Sequence, residues 1–232
     1  MATTSVPGIQ CVILCGGKGE RLRPLTEDIP KPLIGINGIP ILGHILAHLH
    51  KFSFSEFMIC TGYKSERIEE FFAGRFEAAN VRIINSGDVD IIERLKGLKE
   101  YINGKFVLLY GDTISDVNLS ELITFHEGHG RPATVTLWPL RSPFGVMEID
   151  DGDAVTGYQE KPVLDKWINI GYFCFEPELL EIAQRYSTFQ DLLSHLVEND
   201  LLCGFRHDGL HITINTVSEL EDAKVELGGL KE

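Results

Sequence analysis

Cys11-Val12-Ile13-Leu14-Cys15-Gly16-Gly17-Lys18-Gly19-Glu20-Arg21-Leu22-Arg23-Pro24-Leu25-Thr26, closed by Pro30-Lys31-Pro32-Leu33, decides how the rest of this chain is read. Ile9 to Cys15 is a short apolar run with β-branched residues, and glycines bound it, so it reads as a buried strand. Three glycines follow within four residues, which lets the backbone turn tightly and approach a ligand. Free N–H groups in such a turn form an anion-binding hollow. Lys18, Arg21, Arg23 and Lys31 add four cations to an otherwise acidic protein. Main-chain amides and local positive charge together suit a polyphosphate. The spacing is neither a P-loop, because Gly19 and Glu20 follow Lys18, nor a dinucleotide fingerprint, because Leu22 stands where a third glycine belongs.

The remaining sequence sets that strand in an alternating pattern. Pro40 opens a helix with Ile41, Leu42, Ile45, Leu46 and Leu49 on one face. His44 and His48 are four apart on it, a spacing that can hold a metal, although helix packing accounts for both. Glu56–Cys60 reads as a strand and 64–73 as a helix with Ile68, Phe71 and Phe72 inward. Val81–Ile84 reads as a strand, 89–102 as a helix, and Phe106–Tyr110 as a strand ending in Gly111-Asp112-Thr113. Leu33–Ile36 reads as a short extended piece. This alternation predicts a doubly wound, mainly parallel sheet, whose ligands gather at the C-terminal strand ends. The Gly16 turn, the loop holding Ser86 and Gly87, and Gly111 all fall there.

The second half changes rhythm. After a helix at Leu119–His129, strands at 133–138, 145–149, 154–160 and 168–175 follow closely, with turns at 150–153 and 162–165. Helices at 177–185 and 189–198, strands at 201–206 and 211–215, a helix at 218–227 and a loose Gly228-Gly229 tail complete the chain. The expected arrangement is one α/β domain over residues 1–232. Its mixed, mainly parallel sheet carries a nucleotide-binding half at 9–115 and an antiparallel, substrate-binding elaboration at 116–232.

Composition excludes several classes. At 232 residues and 44% hydrophobic content the chain can bury a substantial core. A formal charge of −13 disfavours nucleic acid and anionic membrane surfaces. No apolar run nears the roughly 18–20 residues that span a bilayer, and the polar start Met1–Gly8 lacks the pattern of a signal peptide. Cys11, Cys15, Cys60, Cys174 and Cys203 are odd in number, lack a C-x-x-C pair and sit in apolar contexts. They read as reduced, buried residues of a cytoplasmic protein.

G-G-x-G-x-R-L-x-P-L-T followed by P-K-P resembles the signature of the sugar-1-phosphate nucleotidyltransferases. Within that group, several segments resemble the glucose-1-phosphate cytidylyltransferases. They are Pro40–His44, Cys60–Lys64, Gly111–Val117, Glu148–Asp153, Gly157–Pro162, Trp167–Gly171 and Phe205–Gly209. The resemblance implies a Rossmann-like nucleotidyltransferase fold and transfer of a nucleoside monophosphate, CMP from CTP, to a sugar 1-phosphate or another small phosphate monoester. Pyrophosphate is released.

The resemblance also implies roles. Leu14, Gly16 and Gly17 cradle the nucleotide, Arg21 stabilises the leaving pyrophosphate, and Lys31 bridges the reacting phosphates. Asp112 and Asn215 hold Mg²⁺, and Glu160, Lys161 and Asn169 bind the acceptor. Lys18, Gly19, Ser86, Gly87 and Gly111 join the nucleotide site by their place in the glycine turn and at strand ends.

Three departures from the family pattern bear on this. Asn215-Thr216 stands where the family has Asp-Thr. Ile91-Ile92-Glu93-Arg94-Leu95-Lys96 replaces Thr-Gly-Gly-Arg-Leu-Lys beside the nucleotide. The connection between Phe72 and Val81 is short. Guanylyl or uridylyl transfer to a hexose or heptose 1-phosphate therefore stays open, as does a catalytically impaired regulatory subunit that binds nucleotide sugars. The oligomeric state also stays open.

Overall fold

The computed structural model describes residues 8–73 and 80–229. In chain order, β1 (Gln10–Leu14) leads through 3-10 turns at Glu20–Leu22 and Lys31–Leu33 to a small hairpin, β2 (Gly35–Ile36) and β3 (Ile39–Pro40). Then come α1 (Ile41–His50), β4 (Glu56–Thr61), α2 (Ser65–Phe72), β5 (Asn80–Asn85), α3 (Ile91–Lys96), β6 (Phe106–Tyr110) and β7 (Thr113–Ser115). The second half runs α4 (Leu119–His129), β8 (Ala133–Arg141), β9 (Val146–Ile149), β10 (Val155–Gln159), β11 (Val163–Phe175), α5 (Leu179–Ala183) and α6 (Phe189–Glu198). It closes with β12 (Leu202–Arg206), β13 (His211–Thr213) and α7 (Val217–Gly229).

Seven strands form one sheet in the order β12-β8-β11-β6-β1-β4-β5. β1 pairs in parallel with β4 and β6, and β4 with β5, while β11 runs antiparallel to both β6 and β8. β12 is parallel to β8, so β11 alone is reversed. The sheet is mixed and mainly parallel, as the alternation predicts.

The chain leaves β1 for β4 and β5 on one side, then crosses back to β6 on the other. That reversal of strand order opens a crevice beyond the carboxyl ends of β1 and β6. Strand residues alternate between two cores. Cys11 and Ile13 face a core shared with α1, α2, α4 and α7, whereas Val12 faces one shared with α3, α5 and α6. Because β1 is covered on both faces, its sequence is apolar from Cys11 onward, and the buried Gln10 spends its amide on Tyr101 O and Asn103 N. Truncating Ile13 to alanine costs roughly 2–5 kcal/mol, the usual range for a filled core position.

Several expectations are corrected. The extended piece expected at Leu33–Ile36 narrows to β2 at Gly35–Ile36, because Leu33 still belongs to the 3-10 turn Lys31–Leu33, where Pro30 and Pro32 fix φ near helical values. The helix expected over 89–102 shortens to Ile91–Lys96, and turns carry its apolar residues Leu98 and Ile102 into the core. The turn expected at 162–165 is already strand, because β11 begins at Val163 and pairs with Arg141. Gly228 and Gly229 finish α7 and do not form a loose tail. Phe71 is half-buried, and so is Cys203, which accepts a hydrogen bond from Arg131 Nη1 at 2.8 Å. The short connection between Phe72 and Val81 falls on residues 74–79, outside the described ones. His44 and His48 face the carbonyls of Ile36 and Val117 at 3.3 and 2.9 Å.

Candidate active site

A cavity of about 390 Å³ lies in the crevice, bounded by Leu14, Gly16 and Gly17 after β1, Asp88–Ile91 before α3, and Gly111 and Asp112 after β6. Backbone bonds hold this floor. Cys15 N donates to Cys60 O at 2.7 Å, and Gly111 N donates to Leu14 O at 2.9 Å. A Cβ on Gly111 would stand 2.7 Å from both Cys15 Sγ and Leu14 O, so only glycine fits. Gly19 takes φ +62°, and Thr26 Oγ1 donates to its carbonyl at 2.9 Å, which closes the turn. The Cα of Gly17 faces open space on the side where a Cβ would project.

Lys31 lines the cavity from the 3-10 turn, with its side chain only 11% exposed. Its Nζ donates to Asp112 Oδ2 at 2.6 Å and to Asn215 Oδ1 at 2.9 Å. Three local structures bring these groups together. Asp112 follows β6 directly. β7 and β13 pair Thr113 with Thr213, which carries Asn215 back beside Asp112. Glu219 then accepts from the backbone N–H groups of Asn215 and Thr216 at 2.5 and 2.9 Å, while Thr216 Oγ1 accepts from Glu219 N at 3.2 Å. This reciprocal cap starts α7 and fixes Asn215 at its threshold. Asn215 Nδ2 donates to Thr213 Oγ1 at 3.1 Å, which aims its carbonyl oxygen at Lys31.

The convergence of Asp112 Oδ2 and Asn215 Oδ1 on one cationic point bears on metal binding. A carboxylate and an amide carbonyl are hard oxygen donors. Magnesium is usually held by one or two carboxylates, substrate phosphates and retained waters. The donor set fits such an ion if phosphate oxygens supply the rest, with one fewer negative charge than a carboxylate pair would give.

Arg94 was not anticipated as a site residue. It is 4% exposed and lines the cavity from α3. Its guanidinium donates from Nη1 to Thr61 O, and from Nη2 to Gly16 O at 3.3 Å and Gly87 O at 2.8 Å. A Cβ on Gly16 would collide with the guanidinium carbon and both terminal nitrogens. One on Gly62 would collide with Gly87 O and Nη2. Burial lowers the arginine's pKa from its usual value. Glycines ending three neighbouring strands were a sequence signal for a large group lodged among them.

The other expected residues are placed more loosely. Arg21 is exposed on its 3-10 turn, away from the cavity lining. Lys18 reaches Asp88 Oδ2 at 2.5 Å across the surface, and that hydrogen bond raises its pKa. Ser86 N donates to Thr61 O at 3.1 Å, while Gly87 takes φ +70° and offers its carbonyl to Arg94; neither residue lines the cavity. Glu160 and Lys161 are exposed beyond the β9–β10 hairpin. Glu160 accepts a hydrogen bond from Tyr158, and Lys161 takes φ +45°. Asn169 Oδ1 accepts from Gly171 N at 2.8 Å, and Asn169 hydrogen-bonds Tyr110, a cavity-lining residue whose hydroxyl burial pushes up to about 12. The structure therefore assembles Lys31, Asp112, Asn215 and the glycine turn. Asn169 joins them through Tyr110, whereas Arg21, Glu160 and Lys161 stand apart.

Comparison with known proteins gives this geometry a context. A family model described as nucleotidyl transferase matches residues 10–204. The chain is 34% identical over 238 residues to a probable glucose-1-phosphate cytidylyltransferase of Bacillus subtilis, covering 91% of this chain and 93% of that protein. It is 33% identical over 252 residues to the glucose-1-phosphate cytidylyltransferase of Salmonella typhi, covering 97% and 96%. Its fold is similar to the crystal structure of HddC from Yersinia pseudotuberculosis, with a TM-score of 0.72 at 21% identity over 94% of this chain and 99% of that one.

Proposed function

The chain belongs to the nucleotidyl transferase family, and from that membership we propose that it transfers a cytidylyl group from CTP to the phosphate of a sugar 1-phosphate, releasing pyrophosphate. An acceptor phosphate oxygen forms a bond to the α-phosphorus. The bond from the α-phosphorus to the bridging oxygen breaks, and its electron pair leaves on pyrophosphate. The second pKa of a phosphate monoester is about 6, so the nucleophile is already ionised near neutral pH and no side chain has to take a proton. What remains is alignment and charge neutralisation.

The observation that carries this reading is the nearly buried Lys31 ammonium at the crevice, held by Asp112 and Asn215 beside the Gly16–Gly17 turn. In this reading the triphosphate lies on the turn and draws Lys31 onto the reacting phosphates. Asp112 and Asn215 would then hold Mg²⁺. When bound, Mg²⁺ supplies charge neutralisation of the phosphate oxygens. Arg21 faces the departing pyrophosphate from the rim. Glu160 takes sugar hydroxyls, Lys161 the sugar's phosphate, and Asn169 fixes the sugar against Tyr110.

The test is to incubate the protein with each of the four ribonucleoside triphosphates, Mg²⁺ and a panel of sugar 1-phosphates, and to follow pyrophosphate. Release fastest with CTP and a hexose 1-phosphate is expected. Faster release with another nucleotide would reassign the donor, and silence across the panel would overturn the transferase reading.

A further inference from the structure

We propose that Arg94 is the positioning residue that turns the backbone of the nucleotide crevice so that its N–H groups face the phosphates, an inference that rests on the nucleotide reading above. A trans peptide points its C=O and the next residue's N–H in opposite directions. The carbonyl of Gly16 is drawn to the protein side by two donors, Arg94 Nη2 at 3.3 Å and Tyr63 N at 3.4 Å. The following N–H, on Gly17, is therefore turned the other way, and Gly17 lines the cavity. The carbonyl of Gly87 is held by the same Nη2 at 2.8 Å, and this turns the N–H of Asp88, also a lining residue, away from Arg94. Among the described residues neither N–H donates a hydrogen bond within the protein. One side chain thus sets two unspent donors on two different loops.

Arg94 suits this role for physical reasons. A planar guanidinium presents several donors in a fixed fork, whereas an ammonium is a flexible point charge. Among the described residues no carboxylate lies within ion-pair distance of Arg94; backbone carbonyls take its hydrogen bonds, and Asp88 and Asp90 act on its charge only from further off. The glycine at 16 takes its meaning from the same packing. The space its Cβ would occupy belongs to the guanidinium and not to a ligand. Room for the ligand lies at Gly17.

This identifies a test that a merely structural role does not pass. Gly16→Ala acts through the arginine, so its effect should depend on Arg94. Binding of each of the four nucleoside triphosphates is measured by calorimetry, without acceptor, for wild type, Arg94→Ala, Gly16→Ala and the double variant. Melting temperature and acceptor KM are followed in parallel. Each single variant should weaken the best-bound nucleotide at least tenfold while acceptor KM stays within twofold. The double variant should be no worse than the weaker single, because alanine at 16 has nothing left to strike. Arg94→Lys, which keeps the charge but loses the fork, should fall between wild type and Arg94→Ala, and it serves as the test should Arg94→Ala not fold. Additive losses, or nucleotide affinity and acceptor KM declining together with the melting temperature, would overturn the inference. So would variants that bind nucleotide as tightly as a wild type that binds it well. A wild type that binds none of the four would instead overturn the transferase reading.

Discussion

The proposed nucleotide site and the proposed acceptor site are built in opposite ways. At the nucleotide end, carbonyls of Gly16, Thr61 and Gly87 close on a buried guanidinium, and Asp112 and Asn215 close on a nearly buried ammonium. These groups are tied to one another within the protein. At the proposed acceptor site, Glu160 and Lys161 stand in solvent beside a hairpin that exposes Met147 at 58% and Val155 at 65% of their surface. The first arrangement has settled its ordering cost during folding, whereas the second leaves that cost to the binding event. Substitutions at the nucleotide end should therefore change the chemical step or nucleotide affinity, and those at the acceptor end should change acceptor affinity alone.

The sharpest break in that contrast would come from Lys31. Removing a preorganised charge from the reacting phosphates typically costs a hundredfold to a thousandfold in rate, about 3–4 kcal/mol. Lys31→Met should lower kcat by roughly a thousandfold while melting close to wild type, since Asp112 is part-exposed and can return to water. Single-turnover pyrophosphate release and a melting curve check this together. A loss under tenfold would remove Lys31 from the chemistry.

Lys161 tests the opposite end. A hydrogen bond to a charged group contributes about 1.5–3 kcal/mol, so Lys161→Ala should raise acceptor KM by roughly tenfold or more. Nucleotide affinity should stay within twofold. If both constants moved equally, the two ends would be one coupled site and the contrast would be wrong.

What the sequence disclosed and withheld follows the same division. The strand at 10–14, the glycine turn and Gly111-Asp112 were legible because buried parallel strands are mostly apolar runs, here Cys11–Leu14, and turns need glycine. Lys31 was legible as a cation close in sequence to the glycine turn. Its grip on Asp112 and Asn215 was not, because it depends on β7 pairing with β13 across ninety-odd residues of chain, a distant register that no local pattern encodes. Arg94 was hidden for a related reason. The resemblance sets its segment beside the nucleotide, but only the approach of three strand ends makes this charged side chain interior. The start of β11 was missed because Pro162 looked like the first residue of a turn, whereas it immediately precedes a long antiparallel strand.

A smaller effect should appear with pH. Burial lowers the pKa of His48, His126, His129 and His211 below the usual 6.5, and three of these lie in the second half of the chain. His126 is the most enclosed. Thr134 Oγ1 stands 2.7 Å from its Nδ1 and from His129 Nε2, and Glu176 Oε1 stands 3.3 Å from its Nε2, with Lys105 beyond. A histidine with a depressed folded pKa takes up protons more readily when unfolded. The stability it contributes is present above pH about 6.5 and is lost as pH falls through that value towards the folded pKa. Thermal melts between pH 7.5 and 5.5 should show a midpoint that declines on acidification, by roughly 2–4 °C for each kcal/mol removed. His126→Gln should flatten the decline. A midpoint indifferent to pH over this range would show that these rings take up protons equally in the folded and unfolded states, so that burial does not depress their pKa.

The smallest effect is expected at Asn215, for reasons of shape. An aspartate there would place a carboxylate oxygen where the amide oxygen now receives Lys31 at 2.9 Å. Its second oxygen would take the place of Nδ2, and the 3.1 Å bond to Thr213 would reverse polarity, because a hydroxyl donates as readily as it accepts. Nothing has to move. The added charge faces Lys31, which it attracts, and the carboxylates of Asp112 and Glu219, which it repels, while Glu219 still accepts from the backbone at 215. Those effects oppose each other in a half-exposed setting where charge interactions are weak. Asn215→Asp should therefore keep the fold and hold turnover within about threefold of wild type or raise it, with half-saturation shifted to lower Mg²⁺, since a second carboxylate strengthens a hard-cation site. A tenfold loss of turnover with an unchanged melt would mean that the neutral amide is selected. The attraction between Lys31 and the crevice floor would then be tuned to be weak enough for a triphosphate to break.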